Sequence, residues 1–213
     1  MAKISESTVS RLSHYYRVLE EVSAEGEKVV SSQLLEEREG ITSAQVRKDL
    51  SYFGSFGRRG LGYSVDHLRE QIRAILGLNR RWRVAVVGAG HIGSALLAYR
   101  GFQSQGFDIV AVFDADPKHF GRESGPLEVR DIAQLSAEDA IDIGVIATPV
   151  RAAQEVADAL VAAGVRGILN FAPRKLRVPD DVWVRTVDMT TEFEGLSFAL
   201  SQPAGTRRKR AGG

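Results

Sequence analysis

The sequence predicts an α/β protein in two parts, a small helical domain followed by a larger domain built on a parallel sheet. Up to about residue 80, apolar side chains recur at the three- and four-residue spacing of amphipathic helices. From Trp82 onward, short and nearly continuous runs of valine, isoleucine and alanine alternate with helical segments. Such runs are typical of parallel strands that helices cover on both faces. The 213 residues leave room for both domains.

The N-terminal domain, which we place at 1–80, is predicted to begin with two helices. The first spans 5–24, ends before Gly26, and buries Leu12, Tyr15, Tyr16, Leu19 and Val22. The second runs to about Arg38, and either Ser31 or Ser32 can cap its start. Its inward residues are Leu34 and Leu35, and a turn at Glu39-Gly40 follows.

A third helix is predicted to start at Thr42. The segment from Thr42 to Gln45 fits a capping box, in which the Thr42 hydroxyl accepts from the Gln45 amide and the Gln45 side chain reaches back. The buried stripe of this helix would consist of Val46, Leu50 and Phe53. The opposite face would carry Ser43, Arg47, Lys48 and Ser51.

A glycine-rich stretch over 53–63 then predicts a two-stranded hairpin, with aromatic residues on either side of an Arg58-Arg59-Gly60 tip. Three short helices followed by such a hairpin make a winged helix-turn-helix domain, whose third helix lies in the DNA major groove. One more amphipathic helix, from Val65 to the stop at Gly77, completes the domain before a basic joint at 79–81.

The distribution of charge points to the same surface. The chain has a net charge of +1, yet residues 41–83 hold nine basic and three acidic side chains, between acidic segments on either side. A basic block of this kind is typical of a nucleic-acid surface. Arg47 or Lys48 would contact guanine edges or phosphates, Ser43 and the helix-start amides a phosphate, and Arg58 and Arg59 an A·T-rich minor groove. The candidate DNA-binding residues are Ser43, Gln45, Arg47, Lys48, Ser51, Arg58 and Arg59.

Two other interpretations of this domain stay open. The basic pair at Arg47 and Lys48 would also suit a solvated helix face, and the helices could form a dimerisation module that binds no DNA.

The second domain is predicted at 81–188. The predicted strands lie at 83–87, 107–113, 140–147, 167–171 and 183–187, with helices near 91–100 and 150–163. A last helix at 190–200, within a segment at 189–202, has on one side Phe193, Leu196, Ala199 and Leu200. A basic tail follows at 203–213.

The first strand of this domain leads into a glycine fingerprint, G-x-G-x-x-G, made of Gly88, Ala89, Gly90, His91, Ile92 and Gly93. Gly88 would make the tight turn, Gly90 would let the backbone approach a pyrophosphate, and Gly93 would allow the helix to pack close. The amides at the start of the helix suit phosphates. A Rossmann domain is therefore predicted, with His91 as a loop residue near the phosphates and not a catalytic group.

The second strand ends at Asp114, which lies 21 residues after Gly93, about where an acid accepts from the hydroxyls of the adenine ribose. A carboxylate there would repel a 2′-phosphate, so NAD and NADH are favoured over NADP and NADPH. Asp116 could share this role. The alternative is an ordinary glycine turn with a strand-ending aspartate.

The sequence excludes several function classes. It contains no cysteine, which removes disulfides, thiolate nucleophiles, zinc ribbons and iron–sulfur clusters, and no metal is expected. Since the sequence shows neither a secretory signal nor a membrane-length apolar run, a cytoplasmic location and no membrane partner are expected. No tyrosine has a lysine four residues on, and the four histidines form no recognisable catalytic pair. Binding without turnover is expected; the alternative is a small NAD-dependent oxidoreductase with an N-terminal docking module.

Three segments resemble the family of redox-sensing transcriptional repressors called Rex. They are the stretch from Arg47 to Tyr63, the segment from Thr148 to Gln154, and the segment from Gly167 to Pro173. The likeness extends over about 1–200. It implies a homodimer that binds palindromic operators near respiratory and fermentative genes and releases them when NADH replaces NAD⁺, and it implies a C-terminal helix exchanged between subunits.

The resemblance also implies roles for individual residues. Thr148 and Pro149 would border the cofactor, and Tyr99 and Asp188 would serve both in cofactor binding and, with Arg17, in coupling the two domains. The sequence departs from some relatives at His91 and Met189, so its affinity for NADH and its margin over NAD⁺ need not equal theirs.

Overall fold

The computed structural model describes residues 4–54, 57–58, 61–124 and 127–202. It divides the chain into two compact units, and the division falls between Asn79 and Arg80. Each unit has its own hydrophobic core. None of the helices within the described ranges is long and apolar enough to cross a membrane.

The first unit combines four helices with a small antiparallel sheet of strand order β1-β3-β2. Its elements are α1 (Glu6–Ala24), β1 (Val29–Val30), α2 (Ser32–Glu39), α3 (Ser43–Ser51), β2 (Gly57–Arg58), β3 (Gly62–Ser64) and α4 (Val65–Ile75). The predicted helices and the hairpin are present. The strand β1, which extends the hairpin to three strands, was not predicted because two residues leave too short a pattern.

Side-chain caps fix where these helices begin. Ser5 caps α1, and Ser31 caps α2 by accepting from the Leu34 amide at 3.0 Å, which decides between Ser31 and Ser32. At its other end α2 stops at Gly40, whose φ of 68° is left-handed and suits glycine. The helices enclose a core in which the fully buried side chains include Leu12, Tyr15, Leu19, Val22, Leu35, Val46, Leu68 and Ile72.

The second unit is a Rossmann-like fold on a mostly parallel sheet of strand order β10-β9-β8-β4-β5-β7-β6. Among the described residues six strands run parallel, and β6 is antiparallel at one edge. The elements are β4 (Trp82–Val87), α5 (His91–Ala98), α6 (Gly101–Ser104), β5 (Phe107–Asp114), β6 (Glu123–Ser124), β7 (Leu127–Asp131), β8 (Ile143–Ile146), α7 (Ala153–Ala162), β9 (Gly167–Asn170), β10 (Trp183–Thr186) and α8 (Met189–Ser201).

Several element boundaries differ from the prediction. The helix expected at 91–100 ends at Ala98 because Tyr99 adopts an extended backbone, and α6 follows as a separate turn. The helix expected from 150 begins at Ala153. The strand expected from 140 begins at Ile143, because Ala140 has a left-handed φ of 50° after a short 3-10 turn. The short strands β6 and β7 were not predicted.

The two faces of this sheet are not covered alike. On one face, α7 and the neighbouring loops enclose the main core around Phe113, Ile146 and Leu160. The other face carries an apolar groove of about 380 Å³ lined in part by Val84, Val145 and Trp183. The prediction of strands buried on both faces holds for the central strands, since Val84, Val86 and Val145 on this face are buried as well, whereas Trp183 at the sheet edge is largely exposed. The helix α8 does not fill the groove, since every residue of α8 is exposed.

The strand order reverses at β4, whose neighbours are β5 on one side and β8 on the other. Ligands of open α/β sheets bind beyond the carboxyl ends of the strands at such a reversal. The loops after β4, β5 and β8 are therefore where a nucleotide site belongs.

Candidate functional site

Helix α3 presents the basic face predicted for DNA. Arg47, Lys48 and Ser51 are exposed, and Arg47 Nη1 donates to the Ser32 hydroxyl at 3.0 Å. The Thr42 hydroxyl accepts from the Gln45 amide at 3.3 Å and caps the helix as expected. Two cationic side chains on one exposed helix face can reach both phosphates and base edges.

Two details of the helix start differ from the prediction. Gln45 does not reach back to complete a capping box, because its Nε2 donates to Asp49 Oδ1 at 2.8 Å. The Ser43 amide donates to Glu36 Oε2 at 2.9 Å, so a carboxylate of this chain already uses the amide that was expected to hold a phosphate.

A buried ion pair that the sequence analysis missed connects α3 to α1. Asp49 is fully buried, and its carboxylate accepts from Arg11, Tyr15 and Gln45. Burial raises the pKa of Asp49, but these hydrogen bonds outweigh burial and hold that pKa below its ordinary value. The helix that carries Arg47 and Lys48 is therefore fixed to α1 by an ionised group.

The wing is a tight hairpin in which Gly57 pairs with Tyr63 and Arg58 with Gly62. A side chain at Gly62 would stand 2.6 Å from the Val30 carbonyl oxygen, and its φ is +76°, so only glycine fits there. Arg58 lies on β2. Its predicted neighbour at the tip, Arg59, lies outside the described residues.

The glycine fingerprint forms a tight loop between β4 and α5. Gly88 has a φ of +107°, and a Cβ there would stand 2.6 Å from the Ala147 carbonyl oxygen. A Cβ at Gly93 would overlap the Gly88 carbonyl oxygen, so only glycine at this position lets the first turn of α5 lie against the loop. In contrast, no described atom beyond its chain neighbours lies within 4 Å of a Cβ position at Gly90. The backbone at Gly90 faces open space that a phosphate can enter.

The helix that follows starts at this loop with His91 and Ile92 both exposed. Because its first amides have no partner within the helix, the start of α5 suits an anion.

Asp114 ends β5 beside this loop and is held by its own chain. Its Oδ2 accepts from the Ala89 amide at 2.7 Å and from His119 Nδ1 at 2.9 Å, and its Oδ1 accepts from the Asp116 amide at 2.8 Å. Burial raises the pKa of Asp114, but the hydrogen bonds outweigh it and the pKa lies below its ordinary value. The acid is therefore ionised and acts only as an acceptor.

Thr148, just after β8, carries an orphaned polar atom. Within the described part of the chain, its hydroxyl is buried and has no hydrogen-bond partner. A Cβ at Gly88 would stand 3.1 Å from Thr148 Cγ2, so the Thr148 side chain lies beside the glycine loop, while Pro149 is exposed. A buried hydroxyl without a partner indicates a place where a ligand supplies one. Loop amides, an acid and this hydroxyl together fit a dinucleotide.

The residues expected to couple the domains lie in both units. Tyr99 is exposed at the end of α5 and packs edge to face on Phe102, with ring centroids 4.9 Å apart. Asp188 is half-buried, and its Oδ1 accepts from the Thr190 amide at 3.0 Å at the start of α8. Arg17 is exposed on α1. Among the described residues, no group of three or more potential ligands could hold a metal ion.

Comparison with known proteins found matches for both units. Residues 3–51 match a family model described as "Putative DNA-binding protein N-terminus", and residues 79–174 match one described as "CoA binding domain". Among solved structures, the chain is similar to that of RSP, described as a Rex-family repressor, with a TM-score of 0.85, 36% identity, and coverage of 94% of this chain and 95% of that one. The RSP complex with β-NAD⁺ and operator DNA gives a TM-score of 0.89 at 37% identity and covers 94% of each chain.

Relatives from several bacteria share nearly the whole chain. A redox-sensing transcriptional repressor Rex from Carboxydothermus hydrogenoformans is 53% identical over 93% of this chain and 97% of its own. The Rex protein from Thermus thermophilus is 47% identical over 94% of this chain and 96% of its own. Identity at this level over both units shows that the chain belongs to the Rex family of redox-sensing transcriptional repressors.

Proposed function

We propose that this protein represses transcription by binding operator DNA when NADH is scarce, and that it releases the operator when NADH binds. The observation that carries the proposal is the presence in one chain of a basic helix-turn-helix face and of a dinucleotide loop beside an ionised acid. RSP, the structural relative, has been solved with β-NAD⁺ and operator DNA and also with β-NADH.

On the DNA side, Arg47 and Lys48 would make the central contacts in the major groove. Both are exposed on α3, and the ion pair between Asp49 and Arg11 keeps that helix at a fixed angle to α1. Ser51 would contact a phosphate, and the wing at Arg58 and Arg59 would reach the adjacent minor groove. An A·T-rich palindrome is the operator we expect.

On the nucleotide side, residues 88–93 would bind the pyrophosphate of NADH or NAD⁺ through backbone amides. Asp114 would accept from the adenine-ribose hydroxyls, and its negative charge would oppose a phosphate on that ribose. This argues against NADPH, and equally against coenzyme A, which carries a phosphate on the same sugar. The Thr148 hydroxyl, with Pro149 beside it, would complete the site.

The chain is proposed as a regulator and not an enzyme. The described structure does contain a histidine–carboxylate pair, His119 with Asp114, which the sequence analysis did not recognise. In a Rossmann site, however, the acid after the second strand faces the adenosine and not the nicotinamide. A general acid or base has to lie within hydrogen-bond reach of the reacting group, so this pair does not favour an oxidoreductase.

The protein is proposed to act as a homodimer in the cytoplasm, with α8 exchanged between subunits. The apolar side chains of α8 are more than half exposed in one chain, and they include Phe193, Leu196, Phe198 and Leu200. The groove lined in part by Val84, Val145 and the exposed Trp183 is apolar as well. A second copy that lays its α8 on such a face would bury both surfaces, in keeping with two half-sites of a palindrome.

The decisive experiment is a titration of labelled A·T-rich palindromic DNA with the protein, alone, with NAD⁺ and with NADH. We expect tight binding without nucleotide or with NAD⁺, and loss of binding with NADH. Assays for turnover of 2-hydroxy acids, aldehydes and alcohols should show none. Operator binding that NADH leaves unchanged, or measurable turnover, would refute the proposal.

A further inference from the structure

His119 lies in a short 3-10 turn, Pro117–His119, that follows β5. Its ring is about a quarter exposed, and its Nδ1 stands 2.9 Å from Asp114 Oδ2. An ionised carboxylate can only accept, so His119 must donate through a proton on Nδ1. No role for this histidine follows from the sequence alone, because spacing does not identify its partner.

The hydrogen bonds at Asp114 leave little room for a ribose. An ionised carboxylate offers about four acceptor sites. Three of these are taken, by the amides of Ala89 and Asp116 and by His119. A ribose diol brings two hydroxyl donors, and one free acceptor site cannot serve both.

The three donors differ in how easily they can leave. The Ala89 amide belongs to the glycine loop, and the Asp116 amide begins the turn that the Asp116 side chain itself caps by accepting from the Lys118 amide at 3.0 Å. Moving either amide would reshape the backbone around the site. His119 can leave by rotating a partly exposed side chain.

We propose that His119 is an internal competitor for the adenine ribose, which occupies an acceptor site of Asp114 and must move away when a dinucleotide binds. This inference rests on the proposed function, since it concerns the same nucleotide site. It assigns His119 the task of weakening the protein's affinity for the adenosine half of its ligand.

A competitor at this place acts on every ligand that carries the adenosine half. NADH, NAD⁺ and ADP-ribose share that half, so removing His119 should tighten all three by one common factor. The ratio between NADH and NAD⁺ affinities should not change. His119 would thus set the NADH concentration at which the protein responds, without setting its preference for the reduced form.

The test is calorimetry of the full-length protein with NADH, NAD⁺ and ADP-ribose, for the unmutated chain and for His119→Leu. The loss of one competing hydrogen bond corresponds to a gain of about three- to tenfold in each affinity. His119→Asn is the matched variant, because an asparagine Nδ2 can replace the donating Nδ1 and should keep the original affinities. His67→Leu, at an exposed position of α4, controls for loss of a histidine elsewhere.

The outcomes separate this inference from the proposed function. If the unmutated protein binds none of the three ligands, the proposed function itself fails. If it binds them and His119→Leu leaves the affinities unchanged or weakens them, His119 does not compete with the ribose. A gain for NADH alone would likewise overturn the inference. Melting temperatures without ligand, measured for each variant, exclude unfolding as the cause of a lower affinity.

Discussion

Arg11 on α1 and Asp49 on α3 form a two-point ion pair, with Nε to Oδ2 at 2.6 Å and Nη2 to Oδ1 at 2.8 Å. Asp49 follows Lys48 in the helix that carries the basic face, and its side chain is fully buried. Tyr15 donates to the same carboxylate at 3.0 Å. Breaking this pair should cost the DNA-binding unit more than breaking a surface contact, because removing one partner would leave a buried charge uncompensated.

The first prediction concerns stability. Replacing Asp49 by asparagine should lower the free energy of unfolding by about 3 kcal/mol at pH 7, since Arg11 then loses its charged partner. The folded-state pKa of Asp49 lies below its ordinary value, so its contribution is present above that value and is lost as the pH falls through the folded-state pKa.

Urea unfolding followed by circular dichroism at pH 7 and at about pH 3 checks this prediction. The difference between the unmutated chain and Asp49→Asn should be large at pH 7 and smaller at about pH 3. Asp66→Asn serves as the control, because Asp66 is exposed and pairs with Arg69 only at 3.4 Å, so it should change stability little. A difference that does not depend on pH would show that the charge of Asp49 is not what stabilises the unit.

The second prediction concerns DNA binding. Arg47→Ala and Lys48→Ala should each weaken operator binding by about 1–3 kcal/mol if the side chain reads a base. If the side chain contacts only a phosphate, its replacement should instead reduce the slope of log affinity against log salt concentration by about one. Arg73→Ala, which removes an exposed positive charge from α4, is the matched control. If the double variant of Arg47 and Lys48 folds and binds the operator normally, α3 is not the recognition helix.

The features that could be predicted from the sequence are those that residues close to each other along the chain determine. The cap at Thr42, the amphipathic stripe of α1 and the glycine loop at 88–93 depend on residues within one or two turns of each other, so their patterns are visible. The Arg11–Asp49 pair joins residues 38 apart, and it exists only because two helices pack together.

The missed elements have the same cause. Strand β1 has two residues and is defined only by its pairing with Tyr63 and Ser64 of the wing. Functional side chains were predicted at both Gln45 and Asp114, but their hydrogen-bond partners are determined by tertiary structure. The sequence thus identified the Asp114 carboxylate but not what already occupies its acceptor sites.

The third prediction concerns the choice of cofactor. NADH should bind more tightly than NADPH or coenzyme A, and Asp114→Ala should weaken NADH by about 2 kcal/mol while weakening NADPH less, because the repulsion of its phosphate is lost as well. Calorimetry with the three ligands measures both effects. Asp116→Ala is the control: it removes only the cap of the following turn and should weaken NADH binding less than Asp114→Ala does. Equal affinities for NADH and NADPH in the unmutated protein would contradict the assignment of Asp114.

The last prediction concerns coupling between nucleotide and DNA. If NADH favours a form of the dimer that fits the operator poorly, NADH must weaken DNA binding by the same factor by which DNA weakens NADH binding. A coupling of about 1–3 kcal/mol corresponds to about 5- to 150-fold. By family resemblance, Asp188 would exchange partners between Tyr99 and Arg17, so Asp188→Ala should reduce the response to NADH more than it reduces NADH binding.

A matched variant separates the charge of Asp188 from its structural task. In the described structure the Asp188 carboxylate accepts from the Thr190 amide at the start of α8, and Asp188→Asn keeps an acceptor there while it removes the charge. We expect Asp188→Asn to retain NADH affinity within about a factor of two, because the binding free energy should change by less than about 0.5 kcal/mol when the cap is kept. The same variant should lose most of the coupling between NADH and DNA binding. Fluorescence anisotropy of labelled operator with and without saturating NADH, together with calorimetry of NADH, measures both quantities. If Asp188→Asn responds to NADH as the unmutated protein does, the charge of Asp188 does not transmit the signal, and the route between the two sites lies elsewhere.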